Sequence, residues 1–284
     1  MRFIRSVLFV PADQPQKIQK ALGSSADCVI VDLEDAVSPD KKDEARRELG
    51  KYMGALGSPQ PKLWVRINGV GTPWHADDVN AVSSWPLGGL VIPKVETQQD
   101  LEAFGTVSND VWAMIETPVG LCNIEAIARH PRVCGLILGT SDLVRDLRAR
   151  HMPRRQNLFY ALSRVVTSAR AFGKCVLDGV YLNYRDLSGF EEQCIQARDF
   201  GFDGKTLIHP NQIEMANRIF SPSEEEIQWA NEVLSAWKQA VEIGKGVVSV
   251  RGILVEHLHI TEAEATLKQA QLLGLIDGPC PAPQ

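Results

Sequence analysis

The chain has 284 residues, 44% hydrophobic and 23% charged, as in ordinary globular proteins, and is long enough for one large α/β domain or two small ones. Thirty Lys and Arg against thirty-five Asp and Glu leave a net charge of −5 and no long basic run, which argues against nucleic acid as a partner. The apolar stretch near the N-terminus, Val7 to Val10, is short and ends at Pro11, so neither a signal peptide nor a membrane span is readable. Six cysteines without a Cys-x-x-Cys pair read as buried thiols of a cytoplasmic protein.

A short β-branched run followed by a longer stretch with helical periodicity recurs along the chain. Strands are predicted at Ser6–Pro11, Cys28–Asp35, Leu63–Asn68, Gly89–Glu96, Asp110–Thr117, Val133–Asp142, Lys174–Tyr181 and Phe202–His209; each but the first is apolar on both alternating faces, as buried parallel strands are. Helices fall between them, including Asp40–Leu56, Asn157–Phe172 and Leu187–Phe200. Eight such units over about 210 residues predict an α/β fold, a (β/α)8 TIM barrel over residues 1–222. Two more helices follow, Ser223–Val241 with a capped first turn and one around Thr261–Leu273 opened by a Thr-x-x-Glu capping box. This tail, residues 223–284, is too short for an independent domain and reads as a helical lid or oligomerisation arm, with Gly278-Pro-Cys-Pro-Ala-Pro frayed at its end.

Barrel enzymes place their chemistry at the carboxyl ends of the strands, and the polar residues fall there. The second strand ends in Asp32-Leu33-Glu34-Asp35, the third in Arg66-Ile67-Asn68, the fourth in Lys94-Val95-Glu96, the fifth in Glu116 and the sixth in Asp142. Arg66 and Asn68 share a strand face and can point to a common centre. Glu116 and Asp142, at the same end of neighbouring buried strands, concentrate negative charge that a cation or a proton must neutralise; a hard divalent cation, Mg2+, is the simplest answer. Each residue also has a plainer reading. Asp142 can cap the next helix, Lys94 and Glu96 can pair with each other, and Arg66 can be the buried partner of a strand-two acid. Part of the Asp32, Glu34, Asp35 cluster should face solvent or hold water around the metal. Five independent accidents on one rim are less economical than a catalytic rim.

In order, Ser6-Val-Leu-Phe-Val-Pro, Val31-Asp-Leu-Glu-Asp-Ala-Val, Val65-Arg-Ile-Asn, Ile92-Pro-Lys-Val-Glu, Ile115-Glu-Thr-Pro-Val-Gly, Leu138-Gly-Thr-Ser-Asp-Leu and Gly201-Phe-Asp-Gly-Lys-Thr-Leu-Ile-His-Pro resemble the signature segments of the citrate lyase β-subunit-like family of the HpcH/HpaI aldolase superfamily. The resemblance runs from about residue 5 to residue 255. It implies a TIM barrel, a homotrimer or hexamer, that makes or breaks carbon–carbon bonds in malyl-, citramalyl- or citryl-CoA thioesters, with a 2-keto acid as the other partner. It further implies that Glu116 and Asp142 are Mg2+ ligands and that Arg66 binds the substrate carboxylate and stabilises the oxygen that gains charge. Such cleavage needs a group that holds the reacting oxygens and an acid that protonates the enolate carbon. Lys94 reads as a charge partner facing substrate with Arg66 and Asn68, not as a Schiff-base lysine.

The chain departs from that family pattern at two places. Pro11-Ala12-Asp13-Gln14 stands where relatives carry Pro-Gly, a small polar residue and a basic one; Lys17 and Lys20 are the nearby cations for a CoA phosphate. In the tail, Val255-Glu256-His257 stands where relatives have Val-Asp or Ile-Asp followed by Pro, the Asp being a proton donor supplied by a neighbouring subunit. Glu256 is then the matching acid, one methylene longer. Three functions are open: an Mg2+-dependent acyl-CoA lyase, an aldolase for free 2-keto-4-hydroxy acids, and a carrier-dependent subunit of a citrate lyase complex.

Overall fold

The computed structural model describes residues 3–56, 60–102, 110–242, 244 and 246–277. The elements run β1 (Ser6–Pro11), α1 (Pro15–Leu22), β2 (Cys28–Asp32), α2 (Lys42–Leu56), β3 (Gln60–Arg66), α3 (His75–Val82), β4 (Leu87–Ile92) and α4 (Gln99–Glu102). They continue β5 (Val111–Ile115), α5 (Pro118–Cys122), α6 (Ile124–Arg129), β6 (Val133–Leu138), α7 (Thr140–Asp146), α8 (Phe159–Ala171), β7 (Cys175–Asp178), α9 (Leu187–Phe200), β8 (Gly204–Leu207) and α10 (Ile213–Ile219). Neighbouring strands pair in parallel from β1 to β8, and β8 pairs back onto β1, Ser6 opposite Lys205 and Leu8 opposite Leu207. The predicted TIM barrel is the observed fold. From β2 onward every strand stops before its predicted carboxyl end, β6 at Leu138 rather than Asp142. Polar residues there leave the ladder for the loops, so β3 ends before Asn68, β5 before Glu116 and β6 before Asp142.

The barrel interior is filled by one face of the strands. Val7, Ile30, Trp64, Val91, Trp112, Met114, Ile137 and Leu177 form a single buried cluster. Trp64 and Trp112 stack at its centre, ring centroids 4.5 Å apart. Glycines on adjoining strands make room for them: a Cβ at Gly89 would sit 2.9 Å from Trp64 Cδ1, and one at Gly135 would run into the Trp112 ring. Truncating either Trp to Ala would cost about 3–5 kcal/mol.

The chain divides into two compact units, Ile4–Arg218 and a second that joins Phe3 to the chain from Ile219 onward. The second holds α11 (Glu224–Glu242), the hairpin strands β9 (Val248–Val250) and β10 (Ile253–Val255), and α12 (His257–Leu272). Ala230, Val233, Val250, Val255, Ile260 and Ala263 make its core. Arg251 and Gly252, at φ 50° and 81°, form the tight hairpin turn. Ser223 and Glu226 cap α11 reciprocally, Ser223 Oγ accepting the Glu226 N–H at 3.2 Å and Glu226 Oε2 the Ser223 N–H at 2.8 Å. The start expected at Thr261 is corrected: α12 begins at His257, and Thr261 lies inside it, its hydroxyl turned back to the His257 carbonyl. Its Thr-x-x-Glu spacing loses to the earlier start because Glu256 and His259 already supply a capping pair, the Glu256 N–H donating to His259 Nδ1 at 3.0 Å.

Among the described residues no helix is long and apolar enough to cross a membrane. Cys28 and Cys194 are buried and Cys134 and Cys175 half-buried; Cys122 is exposed, contrary to its reading as a core thiol. The frayed end expected at Gly278 onward lies outside the described residues.

Candidate active site

Strand alternation places the polar residues. On β2, Cys28, Ile30 and Asp32 share a face; on β3, Trp64 and Arg66; on β5, Trp112 and Met114, with Glu116 next in the series just past the strand end. The lower members fill the core, and the upper ones open into a cavity of about 340 Å³ lined by Phe9, Asp32, Asp35, Arg66, Met114, Glu116, Gly139, Asp142 and Thr206, among others. The carboxyl ends of the strands thus deliver one concave polar site over an apolar floor.

Arg66 is buried at the centre of the site. Its Nε and Nη2 donate to Asp32 Oδ1 and Oδ2 at 2.8 and 2.6 Å, Nη1 lies 3.1 Å from Glu34 Oε2, and the guanidinium stands over the Phe9 ring at 4.9 Å. Burial disfavours its charge, but Asp32, Glu34 and Glu116 outweigh that and raise its pKa. Asp32 is also buried, yet the Arg66 charge and the N–H groups of Glu34 and Ala36 hold its carboxyl below the usual range. The plainer reading of Arg66 as partner to a strand-two acid is realised, in a residue that also lines the cavity.

Lys94 links two acids. Its Nζ meets Glu34 Oε1, not Glu96, and its backbone N–H donates to Glu116 Oε1 at 2.8 Å. It has left the strand at φ 50°, a left-handed conformation that a non-glycine residue adopts at a cost. Burial raises the pKa of Glu34 despite Arg66 and Lys94. Burial likewise pushes Glu116 up to about 7; Arg66 and Lys94 oppose the rise, while Glu34 and Asp142 add to it. Burial thus favours the neutral form of Glu116 unless a cation takes the place of its proton.

Asp142 is in the first turn of α7 rather than at a strand end, which corrects its expected position. It nevertheless lines the same cavity as Glu116 and meets Arg145 at the surface. Glu116 has one oxygen on the Lys94 N–H, and the other lies against Gly139, where a Cβ would collide with it. Among the described residues no three His, Cys, Asp or Glu side chains form a closed metal cage. Two oxygen donors and open space suit Mg2+, which keeps waters and takes substrate oxygens.

Asn68 does not join Arg66. Past the strand end its side chain turns outward, Nδ2 donating to Leu33 O at 3.0 Å and Asp78 Oδ2 at 2.6 Å, so its amide donors are spent on the scaffold. Asp35 is exposed at the cavity edge. Glu256 belongs to the other unit, exposed at the N-cap of α12.

Several buried charges escaped the sequence reading. Asp178 on β7 is clamped by Arg155 Nη1 at 2.8 and 2.9 Å and by Lys205. The signal was a lone Lys205 in an apolar run. Asp78 accepts from Arg46 at 2.9 Å and from Asn68, and Lys42 is buried beneath the strand-two turn. Phe9 was readable from its alternation with Val7. A cavity of about 360 Å³ beside the α7–α8 connection shares Thr140, Ser141, Val180 and Leu182 with the central one, and another of about 490 Å³ is lined by Lys17, Lys20 and His209.

A model of the HpcH/HpaI aldolase/citrate lyase family matches residues 5–210. The chain belongs to that family. This aldolase/citrate lyase family member is 42% identical over 271 residues to a (3S)-malyl-CoA thioesterase of Cereibacter sphaeroides, covering 95% of each chain. It is 33% identical to the citrate lyase subunit beta of Leuconostoc mesenteroides subsp. cremoris, over 97% of this chain and 96% of that one. Protein CitE from Mycobacterium tuberculosis, crystallised with magnesium, acetoacetate and coenzyme A, superposes with a TM-score of 0.81 at 31% identity, over 94% of this chain and 97% of that one.

Proposed function

We propose that this chain is a Mg2+-dependent carbon–carbon lyase that cleaves or forms a short 3-hydroxyacyl-CoA thioester of the malyl, citramalyl or citryl type. The observation that carries it is the convergence of Glu116, Asp142 and Arg66 on one cavity. The magnesium, acetoacetate and coenzyme A held by the related CitE support it. Glu116 and Asp142 would hold the ion, which supplies Lewis-acid stabilisation to a substrate oxygen when bound.

Cleavage takes the proton from the 3-hydroxyl, breaks the bond between C2 and C3, and leaves the electron pair on a thioester enolate whose carbon then takes a proton. The products are a 2-keto acid and a shorter acyl-CoA. Arg66, buried and fixed by Asp32, stabilises negative charge without reorganising. Lys94 holds Glu116 and Glu34 in place, and Lys17 and Lys20 line the cavity suited to the CoA phosphates. Glu256, supplied across the interface of a homotrimer or hexamer by the tail of a neighbour, protonates the enolate carbon, and the protein works in the cytoplasm.

A second reading is thioester hydrolysis, favoured by the 42% identity to a (3S)-malyl-CoA thioesterase. One assay separates them. Purified protein with Mg2+ and a panel of CoA thioesters should convert malyl-CoA to glyoxylate and acetyl-CoA, and EDTA should stop it. Malate and free CoA as the products would replace lyase by hydrolase, and free 2-keto-4-hydroxy acids as the only substrates would move the activity to the aldolase reading.

A further inference from the structure

Beneath the acidic turn that follows β2 lies a cation no part of the proposed chemistry uses. Lys42, the first residue of α2, is 5% exposed, and its Nζ donates to Leu33 O at 3.0 Å and Glu34 O at 2.8 Å, 5.1 Å from the centre of the Trp74 ring. A lysine is seldom buried, because its ammonium must find a partner for every N–H it withdraws from water. Here two successive carbonyls and an aromatic face do so. Burial depresses its pKa, and Asp32, Glu34, Asp35 and Asp78 pull in the opposite direction.

The two carbonyls belong to the turn that aims the site. Within it Asp32 Oδ1 accepts the Glu34 N–H at 2.9 Å and Oδ2 the Ala36 N–H at 3.0 Å, while the same two oxygens receive Nε and Nη2 of Arg66. Moving the Leu33–Glu34 peptides therefore moves the carboxylate that orients the guanidinium. Leu33 O is held from a second side by Asn68, itself fixed by Asp78 and, through it, by Arg46 of α2. We propose that Lys42 is a positioning residue for the reaction, fixing the turn from which Asp32 aims Arg66 and Glu34 aims Lys94. The compact ammonium meets both carbonyls and the ring within the space a buried lysine occupies; the longer, bulkier guanidinium would have to displace the turn or the Trp74 ring to fit.

The inference rests on the reading that Arg66 faces the reacting atoms, and its test keeps the two apart. Lys42→Met, Lys42→Arg and Arg66→Lys are made in the full chain, with the double variant Lys42→Met/Arg66→Lys. Each is assayed for kcat and KM on the thioester the wild type turns over, and for Tm. Lys42→Met should lower kcat on the order of 10²-fold with KM moving by a few-fold at most, and Lys42→Arg should fail to rescue it. The double variant should lose far less than the product of the single losses, because both changes act through one guanidinium. Folded Lys42→Met with wild-type kcat beside a crippled Arg66→Lys overturns the positioning role, as do losses that multiply. If Lys42→Met does not fold, Lys42→Arg at the wild-type kcat overturns it instead. Arg66→Lys at the wild-type rate overturns the reading of the site and this proposal with it.

Discussion

Arg66 and Asp32 meet as a closed fork, Nε on Oδ1 and Nη2 on Oδ2, on neighbouring strands whose register sets the two residues side by side. The fork joins stability to chemistry. A buried ion pair that loses one partner leaves an uncompensated charge, so Arg66→Ala should cost about 3–5 kcal/mol. Arg66→Lys keeps the charge but can serve only part of the carboxylate, and should lower both Tm and kcat/KM, the latter on the order of 10²-fold. Thermal melts and kinetics on one preparation check it: a lower Tm with unchanged kcat/KM would make Arg66 purely architectural.

Glu116 sets a pH dependence of the metal-free protein. Its carboxyl is raised from 4.5 to about 7 by burial, so the folded state holds its proton more tightly than the unfolded chain. The stability this provides is fully present below pH 4.5 and is lost as pH rises through about 7. Glu116→Gln carries no titrating group there. In EDTA the variant should therefore gain Tm relative to wild type between pH 5 and pH 8, and Mg2+ should restore the wild type at pH 8 while doing little for the variant. Parallel Tm curves for the two proteins across that range would contradict the assignment.

How much of this was legible depended on which rule governed each residue. Strand alternation was enough for Asp32 and Arg66, because both lie within the ladder, and for Glu116, one residue beyond it. It failed for Asn68, where the chain had left the sheet and the side chain answered to Asp78 on α3. Asp142 reads as strand in the sequence because Leu136–Leu138 runs without a break into Gly139-Thr140, and nothing local marks where the helix begins. Lys42 was invisible as a site residue: in a charge-rich helix start its spacing looks like any solvated lysine, and only the tertiary fold brings two carbonyls over it.

Gly139 tests the packing of the metal position without replacing a carboxylate. A Cβ there would collide with Glu116 Cβ and Oε2. Gly139→Ala should displace the carboxylate and weaken Mg2+ binding by about tenfold or more, in keeping with the cost of disturbing the support of a ligand. Gly54, in α2 with open space around it, is the control: Gly54→Ala should leave Mg2+ affinity and activity unchanged and add about 0.5–1 kcal/mol of stability. Calorimetric Mg2+ titration of both variants decides it, and wild-type affinity in Gly139→Ala would place the ion elsewhere.

Glu256 carries the last prediction, because its exposure at the start of α12 suits two roles. As an N-cap residue it has a local task, its backbone N–H on His259 Nδ1 at 3.0 Å. As a proton donor reaching a neighbour's barrel it would be lengthened by one methylene over the aspartate the family resemblance implies, and misplacement of about an ångström can cost 10²-fold in rate. Glu256→Gln keeps the length and the backbone cap but cannot give up a proton, so it should stop cleavage with Mg2+ affinity and Tm near wild type. Mixed with Arg66→Ala it should regain partial activity, since some interfaces then pair an intact barrel with an intact tail. Glu256→Gln turning over at the wild-type rate would leave Glu256 as a helix cap alone, and an inactive variant that no mixture rescues would place its action within its own chain.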